Sequence, residues 1–197
     1  MAMKAGIAAV LSMSFSMLVA QPAPRETVSA HLGGSSIAVE YGRPSLQGRS
    51  FNDLLAQLPP DRMWRAGSDQ VTTLVSERAF RVGDTVVPAG RYSVYLHLPE
   101  GGPNSLVLNK VVGQPLKDVW SAAPAHLADE PFPHFQYESE IGDQEVARVA
   151  MRRENVGEPV DLFTISLSPA GNGATLRIAW GDQSWSVGLM PPPREGS

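Results

Sequence analysis

Residues Phe80–Leu98, FRVGDTVVPAGRYSVYLHL, constrain this chain more tightly than any other stretch. The second half alternates without a break. Tyr92, Val94, Leu96 and Leu98 fall on one side, and Arg91, Ser93, Tyr95 and His97 on the other. A two-residue period belongs to a strand with one buried face, whereas a helix spaces its apolar residues three and four apart. Pro88 has a fixed φ and Gly90 a permissive one, so the pattern predicts a sharp turn at Pro88-Ala89-Gly90 between two strands of a hairpin. An antiparallel β scaffold follows.

The rest of the chain repeats this grammar. Thr27–Leu32 and Ser36–Tyr41 read as a hairpin about Gly33-Gly34, ended by Gly42-Arg43-Pro44. Phe51–Leu58 predicts about two turns of helix, capped by Ser50 or Asn52 and stopped by Pro59-Pro60. Further strands are expected at Gln70–Ser76, Ser105–Val111, Glu145–Arg153, Leu162–Ser168, Ala174–Trp180 and Ser184–Leu189, with a turn at Gly181-Asp182 between the last two. Seventeen Pro and eighteen Gly suit many strands joined by turns. The sum is about nine or ten strands and one short helix near 51–58, an all-β antiparallel sandwich of jelly-roll or Greek-key type over residues 21–190. Barrel closure is the alternative that the pattern leaves open. Regularity fails from 114 to 142, where Pro115, Pro124, Pro131 and Pro133 alternate with Trp120, Phe132, Phe135 and Tyr137, and residues 191–197 read as a disordered tail.

Lys4 is the only charge in the first twenty residues, and the apolar run Ala5–Ala20 follows it. Ser12, Ser14 and Ser16 interrupt a run already short for a span, so residues 1–20 read as a cleaved signal peptide rather than an anchor. With no Cys there is no disulfide, thiol chemistry or lipidation site, and a periplasmic or secreted protein is expected. Without Lys4, 15 basic side chains face 20 acidic ones. No basic stripe remains to attract a nucleic acid, and none is expected as a partner.

Several blocks carry a resemblance. Val39-Glu40-Tyr41-Gly42-Arg43-Pro44, Gly48-Arg49, and Trp64-Arg65-Ala66-Gly67 before Thr72-Thr73-Leu74 come first. Val87–Val94 and Leu106-Val107-Leu108-Asn109-Lys110 follow in the same order, with weaker matches at Phe163-Thr164-Ile165 and Leu176–Trp180. In these blocks, from about Ala23 to Leu189, the chain resembles the DUF2911 family of exported bacterial proteins. The resemblance implies a β-sandwich and no assigned biochemical role. The chain departs from the family pattern at Gly67-Ser68-Asp69, where the family usually carries Asn in place of the acid, and in Gln114–Gly142, which reads as an insertion.

The candidate ligand site is the polar set Arg43, Arg49, Arg65, Asp69, Thr72, Asn109 and Lys110 with Tyr41 and Trp64. Guanidinium forks beside aromatic faces suit a small carboxylate, phosphate or sugar, which makes a non-enzymatic binding module the leading reading. The competing account has Arg65 paired with Asp69 or Glu40 as a brace, with Trp64 in the core. A hydrolase or sugar-active enzyme using a cleft near His97 is the second reading, and a protein partner held by 114–142 the third. In that last case deleting the loop would spare the fold; otherwise its aromatics cover an open end of the sandwich. His31, His97, His126 and His134 lack the close spacing of metal ligands, no serine lies in a Gly-x-Ser-x-Gly elbow, and no cofactor is implied. Glu138, Glu140, Asp143 and Glu145 read as a solvated acidic loop.

Overall fold

A computed structural model describes residues 23–193. The expected signal peptide lies outside the described residues, as do the last four positions of the expected tail. The chain runs through β1 (Arg25–Leu32), β2 (Ser35–Gly42), α1 (Phe51–Leu55), β3 (Met63–Trp64), β4 (Thr73–Ser76), β5 (Phe80–Val82), β6 (Thr85–Val87) and β7 (Gly90–His97). It continues through β8 (Ser105–Asn109), β9 (Gln114–Pro115), α2 (Leu116–Val119), β10 (Pro131–Phe132), α3 (Tyr137–Glu140), β11 (Glu145–Ala150), β12 (Arg152–Ala170) and β13 (Gly173–Met190).

Two main antiparallel sheets result, besides the small β9–β10 pair. The first has the order β1-β2-β4-β7-β8-β11, with β3 paired beside β7, and the second the order β12-β13-β5-β6. Among the described residues no ladder joins them, so the pattern resolves as a sandwich rather than a closed barrel. Ile37, Val39, Leu74, Val94 and Leu96 of the first sheet meet Phe80, Phe163, Ile165, Leu176 and Ile178 of the second. Each large side chain so buried contributes about 1.5–3 kcal/mol.

Three strand assignments change. The strands flanking Pro88 do not pair with each other: β6 turns at Gly83-Asp84 onto β5, while β7 pairs with β3, β4 and β8. Pro88-Ala89 therefore carries the chain from one sheet to the other, and the Tyr92 hydroxyl fastens this corner by donating to the Pro88 carbonyl at 3.0 Å. Alternation is a local property on either side of a turn; the choice of partner strand is not. Second, Gly181-Asp182 is not a turn. Gly181, at φ 61°, faces Val160 where the β12–β13 register shifts, so the two C-terminal strands are one long bulged strand. Third, the expected strands Glu145–Arg153 and Leu162–Ser168 are redivided, with β11 ending at Ala150 and β12 running from Arg152 to Ala170, and short strands β3, β9 and β10 lie in stretches that carry no alternation of their own.

The polar side of β7 is not solvated. Ser93 and Tyr95 are fully buried there, because the segment after β10 returns across β7 and β8. Tyr137 and Ile141 pack on Tyr95, Val107 and Met63 to make a second, smaller core on the outer face of the first sheet. Residues 114–142 thus cover a sheet face, not an open end of the sandwich. The segment is closed on itself by the β9–β10 pair and fastened to the rest by Val71 N–H to the Pro131 carbonyl (2.8 Å) and by Asn109 Nδ2 to the Ile141 carbonyl (2.7 Å).

Candidate functional site

The stretch Asp61–Asp69 leaves the sheet edge and builds one side of a cleft. Arg62, at φ 56°, donates from Nε to the Leu98 carbonyl (3.1 Å) and from Nη1 to the Leu55 carbonyl (2.9 Å), tying α1 to the end of β7. After the two β3 residues the chain lifts away, with Ala66 at φ 49° and Asp69 at φ 57°. Left-handed backbone at non-glycine residues is costly, about 1–3 kcal/mol each, and persists only where surrounding contacts hold it. Thr72 Oγ1 supplies one such contact, donating to the Ala66 carbonyl at 2.8 Å. Gly42 supplies the room: a Cβ there would stand 2.4 Å from the Ser68 carbonyl oxygen.

The cleft has a volume of about 490 Å³, within the range of small-molecule sites. One side is apolar and comes from α1 and the turn after it, through Phe51, Leu54, Leu55, Leu58 and Pro59. Ser50 and Asp53 hold that helix by a reciprocal capping box, with Asp53 N–H to Ser50 Oγ at 3.2 Å and Ser50 N–H to Asp53 Oδ2 at 2.8 Å. The remaining lining is aromatic and polar. Trp64 stacks on Trp180, with centroids 5.1 Å apart and planes 12° apart, and Tyr95, His134, Phe135, Tyr137, Arg65 and Ser68 stand among the other lining residues.

Arg65 is the electrostatic centre. It is half-buried, and burial pulls its guanidinium below the ordinary value, with only partial opposition from the charge of Asp69 and from Tyr95. Among the described residues it makes no hydrogen bond or ion pair; its Cζ lies 5.3 Å from the Phe135 ring centroid. Two further polar atoms are buried without a partner among the described residues: Ser68 Oγ and His134 Nε2. The other ring nitrogen of His134 lies 2.9 Å from Glu140 Oε2, and its backbone N–H donates to the Tyr95 hydroxyl at 3.1 Å. Buried polar groups are nearly always satisfied, so two orphans and an unpaired cation lining one cleft indicate a ligand or ordered solvent.

Of the residues singled out in the sequence, Arg49, Trp64 and Arg65 line the cleft. Arg49 sits exposed, its Nε spent on the Leu46 carbonyl at 3.0 Å. The others are placed elsewhere. Arg43 bridges the sheets, pairing with Glu26 at 2.9 Å and donating to the Phe163 carbonyl and to Thr164 Oγ1. Tyr41 is buried and donates to the Ile165 carbonyl. Asp69 accepts from the Ala23 N–H, and Thr72 holds the loop as described. Asn109 is buried and bonded on both sides of its amide, while Lys110 is exposed. His97 is outside the cleft lining; burial and Arg148 hold its imidazole below the ordinary value, against Glu138, Asp61 and Glu145.

Ser68, His134 and the α1 leucines are the cleft residues that sequence reading passes over. Nothing local distinguishes them, because their meaning lies in being buried beside Arg65. Among the described residues no group of three or more His, Asp or Glu side chains is placed to hold a metal ion. No described helix is long and apolar enough to cross a membrane.

A family model described as "Protein of unknown function (DUF2911)" matches residues 23–189. The chain belongs to this family. The DUF2911 match spans both sheets, α1 and the Arg65 loop, so the expected family and the all-β antiparallel fold stand together. Comparison with curated proteins and with solved structures gave no significant match. The family description carries no activity, and any role rests on the cleft.

Proposed function

We propose that this DUF2911 protein is an exported binding module that holds a small anionic ligand in the Arg65 cleft. The observation that carries the reading is Arg65 itself. A half-buried guanidinium with a ring below it and no carboxylate on it is a cation without a counterion among the described residues. A structural arginine looks different, and Arg43 shows how: ion pair, backbone carbonyl and hydroxyl all in place. The leader pattern at Ala5–Ala20 and the absence of Cys support export to a periplasm or medium.

The test is a thermal-shift screen of the purified protein against small carboxylates, phosphates, sugars and divalent ions, with and without chelator. A ligand at a hundred times its dissociation constant raises stability by about 2.7 kcal/mol, several degrees for a domain of this size. The reading expects an anion to shift the melt in the wild type and not in Arg65→Ala. Shifts that survive in Arg65→Ala, or no shift from any anion, would remove it.

A further inference from the structure

The cleft divides its chemistry unevenly, and that division narrows the ligand. Its polar groups without a hydrogen-bond partner among the described residues come from one loop and one neighbouring segment: Arg65 and Ser68 from the first, His134 from the second. Its greasy surface comes from α1, the Pro59 turn and the stacked Trp64–Trp180 pair. A sugar presents hydroxyls around its whole rim and needs donors and acceptors to match; on the α1 side only the exposed Arg49 and Gln57 are polar, and Arg49 Nε and Gln57 Nε2 already donate to the Leu46 and Asp53 carbonyls. A phosphomonoester brings nearly two negative charges. Near Arg65 stand the carboxylate of Asp69 and, behind His134, that of Glu140, so a dianion would meet one unpaired cation and two acids. The second arginine in the lining does not change this, because Arg49 is exposed and lies close to Asp53.

We infer that the ligand is an amphiphilic monocarboxylate, an acid with a single charge and an aryl or medium-length alkyl body. The inference rests on the binding reading above and specifies its occupant. The acid head takes the Arg65 fork, with the Ser68 hydroxyl as a further donor. His134, whose Nδ1 lies on Glu140, turns its Nε2 toward the same head. That satisfies the two atoms left without partners in the buried lining. The body lies along Leu54, Leu55 and Leu58 and against the tryptophan pair, in a space of about 490 Å³ that exceeds what a bare acetate or phosphate would fill.

The experiment is calorimetric titration of the purified full chain with 4-phenylbutyrate and with decanoate. Each acid is matched by its neutral amide, and phenyl phosphate and glucose complete the set. At least one acid is expected to bind one-to-one and its amide at least tenfold more weakly. Arg65→Met is expected to cost that acid about 10- to 100-fold, the usual loss for a charged hydrogen-bonded pair, and to leave the amide unchanged. Arg65→Lys keeps the charge and guards against a folding artefact; it is expected to recover part of the affinity. Ser68→Ala is expected to weaken the acid several-fold. Arg65-dependent binding of phenyl phosphate or glucose without either acid would overturn the acid assignment and leave the anion cleft standing only in the first case. Acid binding indifferent to Arg65→Met would overturn the assignment as surface adsorption. Silence from every probe would overturn both readings.

Discussion

The Arg65 guanidinium lies over the Phe135 ring, Cζ to centroid 5.3 Å, so the loop after β3 meets the segment after β10 through a cation and an aromatic face. A contact of this kind is worth about 0.5–1 kcal/mol at a partly exposed site, and the burial of an unpaired guanidinium works against it. Arg65→Met is therefore expected to leave ligand-free stability within about 1 kcal/mol of wild type. Urea unfolding with an unchanged m-value checks this. A larger loss would make Arg65 the brace that it was set against in the sequence.

Arg43 is that brace. Its three contacts run from the end of β2 to β12 and Glu26, and they are only partly exposed. Arg43→Ala is expected to cost about 1–3 kcal/mol, since the partly solvated ion pair adds little beyond the hydrogen bonds. Thermal melts in ligand-free buffer read the loss.

Asn109 joins the sheet to the outer segment. Its Nδ2 lies 3.0 Å from the Tyr137 hydroxyl and 2.7 Å from the Ile141 carbonyl, and its Oδ1 accepts from the Val111 N–H at 2.8 Å. Asn109→Leu keeps the branched shape and leaves those groups unmatched under cover, at an expected cost of about 2–4 kcal/mol. Hydrogen exchange is expected to speed up at residues 137–141 before the rest of the sheet.

Deleting 114–142 is expected to destabilise the protein, not to spare it. The deletion uncovers Tyr95 and Val107, both fully buried, at a cost of at least about 3 kcal/mol. Trp120 and Phe135, 51% and 48% exposed, contribute little to that loss. Comparing the deletion with Trp120→Ser by melting separates the two parts of the segment.

All four tyrosines of the chain titrate high. Burial is the leading cause for Tyr41, Tyr92, Tyr95 and Tyr137 alike, strongest at Tyr95 and Tyr137. A phenol raised in the folded state and ordinary in the unfolded one stabilises the fold below its unfolded value, about 10, and loses that contribution as pH rises further. Phenolate absorbance is therefore expected to lag behind free tyrosine above pH 10 and to appear with unfolding. A native-state titration with an ordinary midpoint would contradict the burial of these rings.

The contrast between β7 and the cleft shows where legibility ends. Tyr92, Val94 and Leu96 face the core as their alternation says, because a period of two settles which face a side chain takes whatever strand lies beside it. The same alternation marked Tyr95 and Ser93 as outward and polar, and the outer face turned out to be covered. Outward is a direction; exposed is a fact about other parts of the chain. Pro88-Ala89-Gly90 and Gly181-Asp182 teach the same lesson for turns, since φ preference says where the backbone bends but not whether the flanking strands pair or run on.

For the site, residue type picked out Arg65 and Trp64 because a guanidinium next to an aromatic is unusual anywhere in a sequence. It could not separate Arg65 from Arg43. Both are arginines beside a glycine-containing bend, and only the distances to Glu26, Phe163 and Thr164 make one a strut while the other lies over a ring in a cleft. His134 and Ser68 carried no local signal, because being buried without a partner depends on what the fold packs around them, Tyr95 on His134 and Gly42 on Ser68 among others. The sequence by itself determined the antiparallel strands, the capped helix and the family, all of which depend on short-range periodicity and local backbone preference. Only the tertiary structure decided which strands pair, what covers the outer face of β7 and that Arg65 lines a cleft with no anion on it among the described residues, because each of those depends on long-range burial and on charges brought together by the fold.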